Sequence, residues 1–239
     1  PRLLNEKFST DLFELLLSKL DKDKNFLIEE DIKLLANSKY NLHKEIIGKR
    51  TDFLQNLITI YQKRLQQADT MIDNICKVPF NFAIDEKYTV QEDTSYAANI
   101  AGMRLKLYKN IKLLVLQALA EFQENKSTIT PVKQKQINDS VEVVVRKKIQ
   151  KIYKRYIQRE LNSPGGIAQV VCDEYCKAIA LCYDPHTAYM SATDRENFEK
   201  ELGRKSMAFG FGMEADDDGK ISITGLQPGS PALDRKSVV

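Results

Sequence analysis

The chain has 239 residues, 43% of them hydrophobic and 29% charged, enough for one large domain or two modest ones with a packed core, and too apolar for wholesale disorder. Lysine plus arginine is 36 against 33 acids, so a net charge of +3 gives no argument for a nucleic-acid or anionic-membrane partner. Apolar runs such as Leu113 to Leu116 are far short of the ~20 residues of a bilayer span.

Residues up to about 200 are patterned as helix. Leu12, Leu15, Leu16 and Leu20 fall on one face at the 3.6-residue period, with Ser9 or Thr10 as the expected N-cap. A short helix is expected over 29–37, burying Ile32, Leu35 and Ala36. Between the two, Asp21-Lys-Asp-Lys-Asn25 invites a calcium-loop reading. It fails, because Phe26 stands where the sharp turn needs glycine and Ile32 where a bidentate glutamate is required; a turn with solvated acids is expected.

The strongest helix pattern runs over 51–78, with Leu54, Leu57, Ile58, Tyr61, Leu65, Ala68, Ile72 and Ile75 at steps of three and four, and Pro79 ends it. Residues 81–94 read as a loop with an extended piece. A long helix over 95–122 points Ile100, Met103, Leu107, Ile111, Leu114, Val115, Ala118 and Phe122 inward, and Pro131 opens another carrying Ile137, Val141, Val144, Val145, Ile149, Ile152, Tyr153 and Tyr156. Its basic residues (Arg146, Lys147, Lys148, Lys151, Lys154, Arg155 and Arg159) read as the solvated face of an amphipathic helix rather than a nucleic-acid stripe. Asn162-Ser-Pro-Gly-Gly166 breaks it, a helix follows over 167–182, and a short one over 192–202.

Cys172 and Cys176 lie one helical turn apart, but no partner stands at zinc spacing, so these two, with Cys76 and Cys182, are expected to be small core thiols, Cys182 being the one that could also be exposed. His43 and His186 support no catalytic triad, and His186 is expected to be hydrogen-bonded within its helix-ending turn.

After Gly203 the pattern changes. The segment 208–213 is a glycine-spaced strand, Asp216-Asp-Asp-Gly219 a hairpin turn, and 220–224 alternates apolar and polar as a half-buried strand does. Around Gly210, Phe211, Gly212 and Met213, backbone N–H groups can converge on a carboxylate, and the strand can accept a peptide as an added strand. The expected architecture is mainly α: a multi-helix N-terminal domain over 1–203, then a truncated PDZ-like β-hairpin over 204–233. Residues 234–239 are expected to be a non-native tail, the translation of a sequencing adapter.

Several of these stretches together resemble the tail-specific (C-terminal processing) proteases, in their long periplasmic branch. They are Leu20-Asp-Lys-Asp-Lys-Asn-Phe-Leu-Ile-Glu-Glu-Asp-Ile32, Gln62-Lys-Arg64 through Val78-Pro-Phe-Asn-Phe82, Asp184-Pro-His-Thr-Ala-Tyr-Met-Ser191, Phe209 to Met213, Asp216 to Gly219 and Gln227-Pro-Gly-Ser-Pro-Ala232. The resemblance implies a bacterial periplasmic serine endopeptidase that recognises the C-terminal tails of protein substrates through a PDZ domain. Cutting would use a serine activated by a neutral lysine, with no cofactor or metal, and an adaptor protein is a possible partner of the helical domain. It further implies that the dyad lies beyond these residues, so no catalytic residue is assigned here, and that Gly210, Phe211, Gly212 and Met213 form the carboxylate-binding loop. The chain alone would be proteolytically inert and would bind tails weakly or not at all, because the helix walling the other side of the groove is not in it. A non-enzymatic helical adaptor or peptide-binding scaffold is the alternative reading.

Overall fold

The computed structural model describes residues 3–84, 86–88, 95–124, 131–202, 210–215, 221–226, 228–230 and 232–233. They fall in two compact units, Pro1–Tyr189 and Met190–Val239. The division precedes the change of sequence pattern near residue 203, so the helix over 192–202 goes with the second unit. The expected turn at 216–219, residues 208 and 209 of the expected strand, the side chain of Ile137, much of the extended piece before Ser95 and the tail at 234–239 lie outside the described residues.

The first unit is a helical body. α1 (Glu6–Leu20) starts at Asn5, whose side chain accepts the Phe8 N–H at 3.0 Å. The cap is therefore neither Ser9 nor Thr10. Ser9 is fully buried, donates to the Asn5 carbonyl and accepts the His43 N–H at 2.9 Å, with His43 Nδ1 at 2.8 Å. That joins α1 to α3 (Leu42–Ile47), a six-residue helix the apolar pattern does not reveal. Between them stand α2 (Glu29–Leu35) and a single 3-10 turn, Ala36–Ser38; Leu35 is buried and Ile32 half-buried.

α4 (Asp52–Ile75) is the axis of the body, packed against α2, α5, α6 and α7. Its stripe of Phe53, Leu57, Tyr61, Leu65, Ala68 and Ile72 is at most 1% exposed. Burial of each large member contributes about 1.5–3 kcal/mol. Tyr61 and Arg64 of this helix find polar partners in the core. Tyr61 donates to the Leu20 carbonyl at 2.8 Å, and buried Arg64 grips both carboxylate oxygens of buried Asp31 at 2.7 and 2.8 Å. Asp31 also accepts the Ile28 N–H at the start of α2. No side chain caps α4 from Thr51; buried Glu45 of α3 reaches across to accept the Phe53 N–H at 3.1 Å instead.

α5 (Ile100–Glu124) and α6 (Pro131–Leu161) pack together. On α5, Met103, Leu107, Ile111 and Val115 are fully buried as the period requires, whereas Leu114 is 40% exposed and Leu119 takes the inner position. α6 departs further. Ile152 and Tyr156 are exposed, Val144 more so, and the inner face is Glu142, Arg146, Ile149 and Ile157. An inward face that carries charge cannot be found by looking for apolar residues. Arg146 is thus no part of a solvated basic face: it is paired with Glu142 at 2.8 Å and donates to the Cys76 carbonyl, while Glu142 accepts the Phe80 N–H at 3.2 Å. The pair fixes the exit of α4 around Pro79. Lys154 reaches the same helix, 3.2 Å from Asp69 and 2.6 Å from Asp73. Gly165 and Gly166, at φ +82° and +72°, turn the chain into α7 (Gly166–Tyr183) in a conformation that side-chain-bearing residues avoid.

In the second unit, α8 (Ala192–Leu202) has the bounds its pattern predicts and is capped by Ser191, which accepts the Asp194 N–H at 3.1 Å. β1 (Phe211–Ala215) and β2 (Ile221–Leu226) then pair antiparallel.

Candidate peptide-binding hairpin

The chemistry of the hairpin begins at Gly210. It has φ +77°, is buried, and a methyl group on it would overlap the Ser230 side chain. Ser230 is 8% exposed and donates from Oγ to the Gly210 carbonyl at 3.3 Å, while its own carbonyl accepts the Leu233 N–H at 3.1 Å. Ser230 thereby holds the backbone that enters β1. Ser230 was not singled out by the sequence pattern, since a hydroxyl-to-carbonyl fit across twenty residues has no periodic signature; its one trace is its place in Gly-Ser-Pro.

From Gly210 the strand runs Phe211, half-buried, then Gly212 and Met213, both exposed. The register is Phe211 opposite Leu226, Gly212 opposite Gly225 and Met213 opposite Ile223, with a bulge between Gly212 and Met213. The extra residue is Thr224, and Gly212 leaves room for it: a Cβ there would lie 2.8 Å from Thr224 Oγ1. Bulges twist a strand and re-aim its edge. Among the described residues β1 pairs with β2 alone, so the backbone groups of its far edge face no described strand. A strand edge of this kind can take up an extended peptide by main-chain hydrogen bonding. Of the four residues singled out from sequence, Phe211, Gly212 and Met213 open β1 and Gly210 immediately precedes it.

The alternation of β2 is present, but its expected half-burial is not. All six residues are exposed, Ile221 at 66% and Ile223 at 65%, because no second layer covers the two strands among the described residues.

The other candidates are structural. Asp21 is buried rather than solvated: its carboxylate accepts the N–H groups of Asn25, Phe26 and Leu27 at 2.7, 3.0 and 2.8 Å. Burial pushes its pKa upward despite those bonds, making the carboxyl a weaker acid. Among the described residues no three His, Cys, Asp or Glu side chains gather as metal ligands. None of the four cysteines forms a disulfide; Cys76 and Cys182 are buried, Cys172 and Cys176 half-buried. Burial pushes the Cys76 thiol up to about 11 and raises those of Cys172 and Cys176, which suppresses the reactive thiolate at neutral pH. His186 closes the α7 turn as expected, its N–H donating to Asp184 Oδ1 at 3.0 Å, which holds the Asp184 carboxyl below its usual range. No helix among the described residues is long and apolar enough to cross a membrane.

Compared with known protein families, residues 1–193 match the tail specific protease N-terminal domain. That span contains the whole helical unit, including the Asp21 turn, the α4 exit and the α7 turn that carry the sequence resemblance. The chain therefore belongs to the tail-specific protease family, of which it carries the N-terminal domain.

Proposed function

We propose that the chain supplies substrate recognition to a periplasmic tail-specific serine endopeptidase and that its hairpin holds the C-terminal end of a protein substrate. In this reading the tail adds as a strand on the far edge of β1, and the backbone amides from Gly210 to Met213 face its terminal carboxylate. The observation that carries it is the construction of that edge: a left-handed Gly210 fixed by Ser230, followed by a bulged strand whose outer edge faces no described strand. Family membership supports protein substrates, and likeness to the long periplasmic branch supports the compartment. The cutting serine and its lysine base are assigned to no residue of this chain.

The test uses nuclear magnetic resonance of the 239-residue chain with an apolar-ended peptide and its C-terminally amidated twin. The free-acid peptide is expected to shift the amides of Gly210 to Met213 at sub-millimolar to millimolar concentration, and the amide twin to leave them in place, since a nest of N–H groups recognises negative charge. Equal responses to the two peptides, or shifts confined to other residues, would overturn the reading. Incubation of the same chain with a tagged substrate is expected to leave that substrate uncut.

A further inference from the structure

Four side chains that the helical period places in the core are on the surface; beside Val144, which stands apart, they are Leu114 at 40% exposure, Ile152 at 45% and Tyr156 at 37%. The last three are not scattered. All three line one groove of about 470 Å³ in the helical unit, together with Leu20, Phe26 and Tyr153. That volume is in the ~300–1,000 Å³ range of pockets that bury ligands.

The groove is preformed. Asp21 beneath it secures the turn from Asn25 to Leu27, the Phe26 and Tyr156 rings stack at 5.9 Å and 9°, and Lys106 donates to the carbonyls of Asp23 and Lys24 at 2.8 and 2.9 Å. Its border is basic. Lys19 and Lys22 are exposed on the wall formed by the end of α1. On the α6 side, exposed Lys151, Arg155 and Arg159 stand beside Ile152 and Tyr156, the Arg159 guanidinium lying 5.7 Å from the Tyr156 ring centre. No acidic residue interrupts α6 between Glu142 and Glu160. Asp23 at the groove and Glu160, 3.7 Å from Arg159, offset part of this charge.

An apolar floor of aliphatic and aromatic side chains within a cationic border complements a segment that is apolar on one side and acidic around it. We propose that the groove binds an acidic amphipathic peptide segment of another protein, its apolar side chains against Leu114, Ile152 and Tyr156 and its carboxylates toward Lys22 and Arg155. The proposal is independent of tail capture, because it needs no free C-terminus.

The probe is a fluorescent helical peptide of about 15 residues, blocked at both ends, with Leu and Phe at i, i+3 and i+7 and Glu around them; its twin carries Lys in place of Glu. The full 239-residue chain is titrated with each by anisotropy. The Glu peptide is expected to bind, to weaken as salt screens the border, and to lose about tenfold in affinity on Ile152→Asp or on Lys22→Glu with Arg155→Glu. The charge-reversed variant is expected to favour the Lys peptide. Unchanged helical circular dichroism certifies each variant, and Leu114→Gln replaces Ile152→Asp if the latter unfolds. Equal binding of both peptides, indifference to these substitutions, or displacement of the peptide by a single-stranded oligonucleotide at lower concentration would overturn the proposal. So would sedimentation showing that Ile152→Asp dissolves a dimer of this chain without affecting the peptide.

Discussion

Gly210 is where one residue governs the candidate site. Any other residue there meets two separate penalties, the left-handed backbone at φ +77° and the overlap with Ser230. The first is worth about 1–2 kcal/mol. Gly210→Ala is expected to erase hydrogen-exchange protection of the β1–β2 ladder, and adding Ser230→Gly to restore part of it by removing the overlap while the backbone strain stays. Full protection in the single variant would show that the local conformation is not required. Asp21 gives a residue-scale prediction in pH. Its folded pKa is raised above the ordinary 3.8, mainly by burial, so between those values the folded state holds a proton that the unfolded state has lost. Its contribution to stability is therefore largest at low pH, declines as pH rises from about 4 through the raised value, and is constant beyond. Denaturation midpoints of the wild type minus those of Asp21→Asn are expected to fall over that window and then level off. A difference that grows with pH would contradict the burial argument.

At the scale of elements, α6 is held by charge as much as by apolar contact. Arg146→Met would leave Glu142 buried without its partner, a loss of about 3–5 kcal/mol in such pairs. Thermal melting of Arg146→Met is expected to show that drop, and the double variant with Glu142→Leu to recover much of it, although the Phe80 N–H and Cys76 carbonyl would then lack these partners. The same pair explains what sequence reasoning found and missed. The α4 stripe was legible because Leu57, Tyr61, Leu65, Ala68 and Ile72 are apolar, inward and periodic together. On α6 the inward positions include Glu142 and Arg146, so the apolar period drifted onto Ile152 and Tyr156, which stand outside. α3 was missed for a related reason: it is six residues long and one of its two buried side chains is Glu45, turned inward to cap α4. In the hairpin, glycine spacing made Gly210 and Gly212 visible, whereas the Ser230 contact that fixes Gly210 depends on a fold-back no local pattern encodes.

For the molecule as a whole, the large apolar core lies in the helical unit, and the two described strands expose Met213, Ile221, Ile223 and Leu226. A lone two-stranded hairpin is marginal in water. A chain of residues 1–189 is accordingly expected to melt cooperatively with strong helical circular dichroism; a broad, non-cooperative loss of that signal would mean that the helical unit depends on the second unit for its stability. Within the helical unit, the opening of α2 depends on residues far downstream. Glu29, first residue of a helix only seven residues long, donates its N–H to the Ala97 carbonyl at 2.9 Å, and Ile28 and Ala97 form an isolated bridge. During synthesis on the ribosome, the nascent chain emerges with that helix still lacking its clasp. The N-terminal third can therefore close only after the segment leading into α5 has left the exit tunnel, which makes assembly of this domain a late event rather than a running one.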